Sequence, residues 1–91
     1  MNPDRSSPVM NYSEATLREL VSLLDMSRSS EQCIYREAEL DDLIRQVEAD
    51  FNDSGAEHLG ALLQAALDAH ALVAKGRAAE AARRLEAAIG G

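Results

Sequence analysis

The stretch that decides the fold is residues 31–74, which run EQCIYREAELDDLIRQVEADFNDSGAEHLGALLQAALDAHALVA. Apolar residues recur in it at intervals of three and four, a spacing that places one apolar stripe along each of two helices. The short polar segment Asn52–Gly55 separates the two halves. Because two helices joined by a short turn pack as antiparallel neighbours, the stretch predicts a long helical hairpin. The predicted fold is therefore all-α, with four helices around this hairpin.

The apolar stripe is broader than one thin hairpin can cover, so part of it needs a neighbouring chain or helix. On this basis we predict a homodimer, with a helical bundle as its architecture. The same surface is the predicted contact site for a protein partner. The interface residues expected from the stripe are Leu40, Ile44, Val47, Phe51, Leu59, Leu62, Leu63 and Val73.

The N-terminal part of the chain predicts a tail followed by a short helix. Residues 1–11 include two prolines and little to bury, so we expect disorder there and a single all-α domain over residues 12–91. Ser13 is a residue type that caps the first backbone amides of a helix. The helix that it begins should end near Ser27.

Three further signals mark helix boundaries. Ser29 with Gln32, and Ser54 with Glu57, have the spacing of capping boxes at the start of a second and a third helix. Lys75-Gly76 places a cation and a glycine at a helix end, as expected for the end of the third helix. A fourth helix follows from about residue 77 to residue 89.

Composition narrows the possible functions. The chain has 91 residues, a net charge of −7, 3% aromatic residues and one cysteine, so it cannot form an internal disulfide. It contains no apolar run of membrane-spanning length, and we predict a cytoplasmic protein. Few aromatic residues are available to line a ligand pocket, which argues against an enzyme. Residues 1–53 hold 12 acids and 5 bases, a balance that disfavours nucleic acid and favours basic protein partners.

The last third of the chain contains a helix–turn–helix spacing. Its marker positions are the turn residue Gly76 and then Ala81, Leu85 and Ala88. With these positions, residues 62–89 resemble one tetratricopeptide-type helical hairpin. The first half of the unit departs from that repeat, because Ala65 and Ala69 stand where Trp and Gly are common. The resemblance implies a role in binding proteins or peptides.

Glu37 and His70 are the candidate metal ligands. With the turn centred near residue 55, facing positions of the hairpin place His70 opposite Leu40 and Glu37 about one turn away. A carboxylate and an imidazole within an apolar seam could form half of a metal site that a second copy completes. The alternative is a polar layer that sets the register of the two helices. We predict no cofactor.

The C-terminal third also contains the main cluster of cations. Arg77 and Arg84 are seven residues apart and share a helix face, an arrangement suited to contacting phosphates. The possible anion contacts are Lys75, Arg77, Arg83 and Arg84. The alternative is that these cations balance the acidic second helix.

These observations predict a small, acidic, non-enzymatic interaction protein that binds an amphipathic helix or a basic protein. A secretion chaperone, an adaptor or an anti-regulator, of bacterial type from the Ala/Leu/Arg-rich composition, would fit this description. A nucleic-acid-binding regulatory dimer that uses the cation cluster is the alternative. A metal-binding helical bundle that uses Glu37 and His70 is the third hypothesis.

Overall fold

A computed structural model describes residues 13–90, and these residues form four helices and no strand. The helices are α1 (Glu14–Met26), α2 (Ser30–Ser54), α3 (Glu57–Ala74) and α4 (Ala78–Gly90). The predicted all-α class and the number of helices are thereby confirmed. The predicted tail, residues 1–11, lies outside the described residues.

α3 is the central helix, because it packs against α2 on one side and against α4 on the other. α1 packs on α4. It barely touches α2, although only residues 27–29 separate the two helices in the chain. The four helices therefore surround one core, with an open seam between α1 and α2.

The first two helix starts follow the sequence signals. Ser13 precedes α1, and its side chain accepts a hydrogen bond from the backbone amide of Thr16 at 3.4 Å. At α2 the capping box forms completely, since the amide of Gln32 donates to Ser29 Oγ and the amide of Ser29 donates to Gln32 Oε1, both at 3.1 Å. These bonds satisfy amides that have no partner inside the helix.

The predicted turn at Asn52–Gly55 is wrong in its first three residues, which continue α2. Gly55 ends the helix with a φ of 70°, a left-handed conformation that glycine adopts without steric cost. The hydroxyl of Ser54 donates to the carbonyl of Asp50 at 2.9 Å, within α2. The capping box predicted for Ser54 and Glu57 is therefore absent, and Ala56 precedes α3 without a side-chain cap.

The end of α3 agrees with the sequence. Gly76 has a φ of 80°, and its amide donates to the carbonyl of Val73 at 2.8 Å. The amide of Arg77 donates to the carbonyl of Leu72, also at 2.8 Å. This pair of bonds is the Schellman arrangement, which ends a helix and turns the chain. It directs the chain into α4, which begins one residue later than predicted.

The buried core is made of leucine, alanine and valine, with no aromatic side chain among its described members. Six of its residues are alanines, and these lie on α3 and α4. The buried residues are Leu17, Leu20, Leu24, Leu40, Leu43, Val47, Leu62, Ala65, Ala66, Ala69, Val73, Ala78, Ala81, Ala82 and Leu85. Small side chains allow close helix packing, so this core depends on near contact between helix backbones.

Among residues 13–90, every helix is either too short or too polar to pass through the apolar layer of a membrane.

The docking of α1 can be tested by shortening Leu24, which is 0% exposed. We expect Leu24→Ala to lower the free energy of unfolding by about 2–4 kcal/mol, because it removes buried methyl groups and leaves a cavity. Denaturant titration followed by circular dichroism measures this loss. The control is Ile34→Ala on α2, where the side chain is 63% exposed and the expected change is below about 0.5 kcal/mol. Equal effects of the two substitutions would show that α1 is not docked in this way.

Candidate functional site

A groove of about 450 Å³ lies in the open seam between α1 and α2. Its floor is formed by leucines from both helices: Leu17, Leu20 and Leu23 from α1, and Leu43 from α2. Leu17, Leu20 and Leu43 are largely buried by the core beneath them, and Leu23 is half-buried. The apolar floor of the groove is thus the edge of the hydrophobic core.

Carboxylates stand on both sides of this floor. Glu19 lines the groove from α1, and Glu39 and Asp42 line it from α2. All three residues are exposed. Because α1 and α2 separate rather than pack closely, the two acidic walls face water with the leucines between them.

The three carboxylates differ in how closely an arginine of the same chain approaches each of them. Arg36 Nη2 donates to Glu39 Oε2 at 3.3 Å, and Arg36 Nε lies 2.9 Å from Glu39 Oε1 without the alignment of a hydrogen bond. Asp42 has only a long contact, 3.8 Å, with Arg45 Nη1. Glu19 has no ion pair or hydrogen bond within residues 13–90. Glu19 and Asp42 are therefore the rim charges that remain available to a partner.

The sequence did not indicate this groove. Leu17 and Leu20 have the ordinary spacing of an apolar helix face, and Glu39 and Asp42 have that of a solvated one. Each residue type occurs on the helix face where it is expected. The leucines and the carboxylates line one groove because α1 and α2 stand apart. No local sequence pattern predicts this spacing between the two helices.

The eight predicted interface residues divide into two groups. Leu40, Val47, Leu62 and Val73 are buried by the chain's own helices. The other four are half-buried, and three of them pack against the core: Ile44, Leu59 and Leu63. Phe51 lies directly against Gly60, where an added Cβ would come within 3.1 Å of the ring. The first group is thus already covered without a partner.

Glu37 and His70 are both half-buried, and no hydrogen bond or ion pair joins them in the described part of the chain. Glu37 instead lines a second recess of about 400 Å³, together with Cys33 and Val73. Residues 13–90 contain no group of three or more His, Cys, Asp or Glu side chains placed to hold one ion. The two candidate ligands do not form a paired polar layer.

The predicted cation cluster is divided by ion pairs. Arg84 Nε donates to Asp68 Oδ2 at 2.9 Å, which links α4 to α3. Arg77 lies 3.8 Å from Glu80. Lys75 and Arg83 are exposed and have no ion pair among the described residues. Two of the four cations are thus occupied by acids of their own chain.

No family model matches this chain, and comparison with the curated proteins and with the solved structures finds no match to either.

The lack of a bond between Glu37 and His70 can be tested with a double-mutant cycle. We expect Glu37→Leu, His70→Leu and the double substitution to have additive effects on the free energy of unfolding, with a coupling below about 0.5 kcal/mol. Thermal unfolding of the four proteins, with and without a chelator, measures both coupling and metal dependence. A coupling above about 1 kcal/mol, or a chelator-sensitive melting temperature in the parent protein alone, would contradict the unpaired arrangement.

Proposed function

We propose that the protein is a non-enzymatic interaction module whose α1–α2 groove binds a short amphipathic helix with cationic flanks. The observation that carries the proposal is the combination of an apolar leucine floor with carboxylates on both walls. An amphipathic helix offers the matching surface, an apolar stripe bordered by polar residues. Lysine or arginine beside that stripe would meet Glu19 on one wall and Asp42 on the other.

The dimensions of the groove support a guest of a few helical turns. The α1 residues that line the groove run from Thr16 to Leu23, a stretch of about 11 Å at the standard helical rise. The leucine floor therefore contacts about two turns of a guest helix. The groove holds the apolar stripe of such a helix, and the opposite face of the guest stays in water.

The two kinds of contact would have different roles. Burial of apolar side chains on the leucine floor supplies affinity, at about 25 cal/mol per Å² removed from water. Exposed ion pairs are worth about 0–1 kcal/mol each and are screened by salt. The rim therefore selects cationic guests and speeds their association more than it tightens binding.

Other functions have less support. The groove lining contains neither histidine nor cysteine, and we propose no catalytic activity for it. The acidic walls would repel phosphates, and Arg77 and Arg84 are paired with acids, so no observation favours nucleic acid as the ligand. The tetratricopeptide-like residues 62–89 lie on α3 and α4, away from the groove, and the proposal does not depend on that resemblance. A chaperone, adaptor or anti-regulator role and a cytoplasmic location remain predictions from the sequence.

The charge requirement can be tested with two synthetic peptides of about 14 residues that have the same leucine stripe. One peptide has lysines beside the stripe, and the other has glutamates. We expect the full chain to bind the lysine peptide, and Glu19→Lys with Asp42→Lys to weaken that binding at least about tenfold at low salt. Isothermal titration calorimetry measures both affinities.

The matched control is Asp53→Lys with Glu86→Lys, which makes the same change in net charge at two exposed positions outside the groove. It should change the affinity for the lysine peptide by less than about threefold, because it alters the net charge of the protein but no charge on the groove walls. Equal weakening by both double variants would assign the effect to net charge and not to the rim. Absence of binding to the lysine peptide, or equal binding of both peptides, would overturn the proposal.

A further inference from the structure

The solvent-facing side of α3 has a row of residues at three- and four-residue spacing. Five of its members are exposed, and Asp68 is half-buried. The row is Glu57, Ala61, Gln64, Asp68, Ala71 and Lys75. In reverse order, the row places a base opposite an acid and alanine opposite alanine. In its middle, Gln64 Nε2 already donates to Asp68 Oδ1 of the same helix at 3.1 Å. The row is thus complementary to itself in the reversed direction.

Charge separates this face from the outer face of α2. On α2, Asp41 and Glu48 are exposed on one face, and Arg45 between them lies 3.3 Å from Asp41. This face has an excess of negative charge, so two copies of it would repel each other. On α3, the acid and the base at the ends of the row have no ion pair within residues 13–90. The charge of Asp68 in the middle of the row is balanced by Arg84 at 2.9 Å. A second copy of this acidic chain can therefore approach along α3 without strong repulsion.

We propose that α3 is a self-association surface, on which the α3 helix of a second copy lies antiparallel across a twofold axis. Glu57 then faces the partner's Lys75, and because the contact is isologous each ion pair occurs twice. Ala61 faces the partner's Ala71. These small side chains let the two helix axes approach closely.

Leu67 supplies the apolar contact in this arrangement. It lies beside the row and is 44% exposed. The twofold axis that pairs Glu57 with the partner's Lys75 passes near residue 66. An antiparallel twofold pair keeps the same edge of both helices on the same side. The two copies of Leu67 therefore meet beside the axis and cover each other.

The proposal is independent of the function assigned to the groove. α3 contributes no residue to the lining of the α1–α2 groove, so both grooves of a dimer remain open. A dimer would thus present two guest sites. Substitutions on the exposed face of α3 should therefore leave the affinity of the groove for the lysine peptide unchanged.

A charge-swap experiment on the full chain tests the pairing. We expect sedimentation equilibrium at low salt to show a dimer, and Glu57→Lys or Lys75→Glu alone to weaken it at least about tenfold, because each creates two like-charge contacts. The double variant should recover to within about threefold of the parent protein. Each substitution places a charge at one end of α3 that interacts unfavourably with the helix dipole. If the two residues acted only by stabilising α3, the double variant would have the weakest dimer of the three. Recovery of the dimer distinguishes contact between chains from helix stability.

Leu67→Glu provides a second measurement that does not depend on the ion pairs. It should abolish the dimer while circular dichroism shows unchanged helix content, since the side chain is already partly exposed. Ile34→Glu, at the exposed α2 position, should leave the dimer intact. A parent protein that stays monomeric at several hundred micromolar would overturn the proposal. A dimer that is indifferent to Leu67→Glu and to both single charge changes would overturn it as well.

Discussion

The packing of the alanine-rich helices α3 and α4 on each other is the interaction on which the rest of the structure depends. Ala65 and Ala69 on α3 are fully buried, and so is Ala81 on α4. A side chain that ends at Cβ keeps little volume between two helices, so dispersion contacts come from closely spaced backbones. Leu85 is fully buried on α4 and adds a large apolar side chain to the same core. Larger residues at these alanine positions would force the helices apart, and α4 could then no longer support α1.

Features with a local cause could be predicted from the sequence. The stripe that contains Leu40 and Val47 follows from helical periodicity, and the box at Ser29 and the turn at Gly76 follow from the chemistry of helix ends. The start of α3 was predicted wrongly because Ser54 is still part of α2. Its hydroxyl bonds back to the preceding turn of α2, a common alternative to capping for serine in a helix.

Features that depend on packing between helices could not be predicted. Ala65 and Ala69 were interpreted as departures from a tetratricopeptide pattern, whereas both are fully buried in the core. The leucine face of α1 has the same appearance whichever helix it covers, so its preference for α4 over α2 is not encoded in its spacing. The candidate groove follows from that preference, and for this reason none of its residues was singled out beforehand.

The electrostatics of the groove give a physical reason why α1 and α2 remain apart. Closing the seam would bring Glu19 toward Glu39 and Asp42, and only Glu39 has a close cation on its own wall. Like charges that lose water repel more strongly as the local dielectric falls, so closure becomes less favourable as it proceeds. Closure would also bury Leu23 and its neighbours, and the removal of these apolar side chains from water favours closure. A cationic amphipathic helix would satisfy both demands together, by covering the leucines and placing positive charge between the two walls. Because such a guest binds only the folded chain, its binding would also stabilise the docking of α1, the helix that has the least contact with the chain segment that follows it.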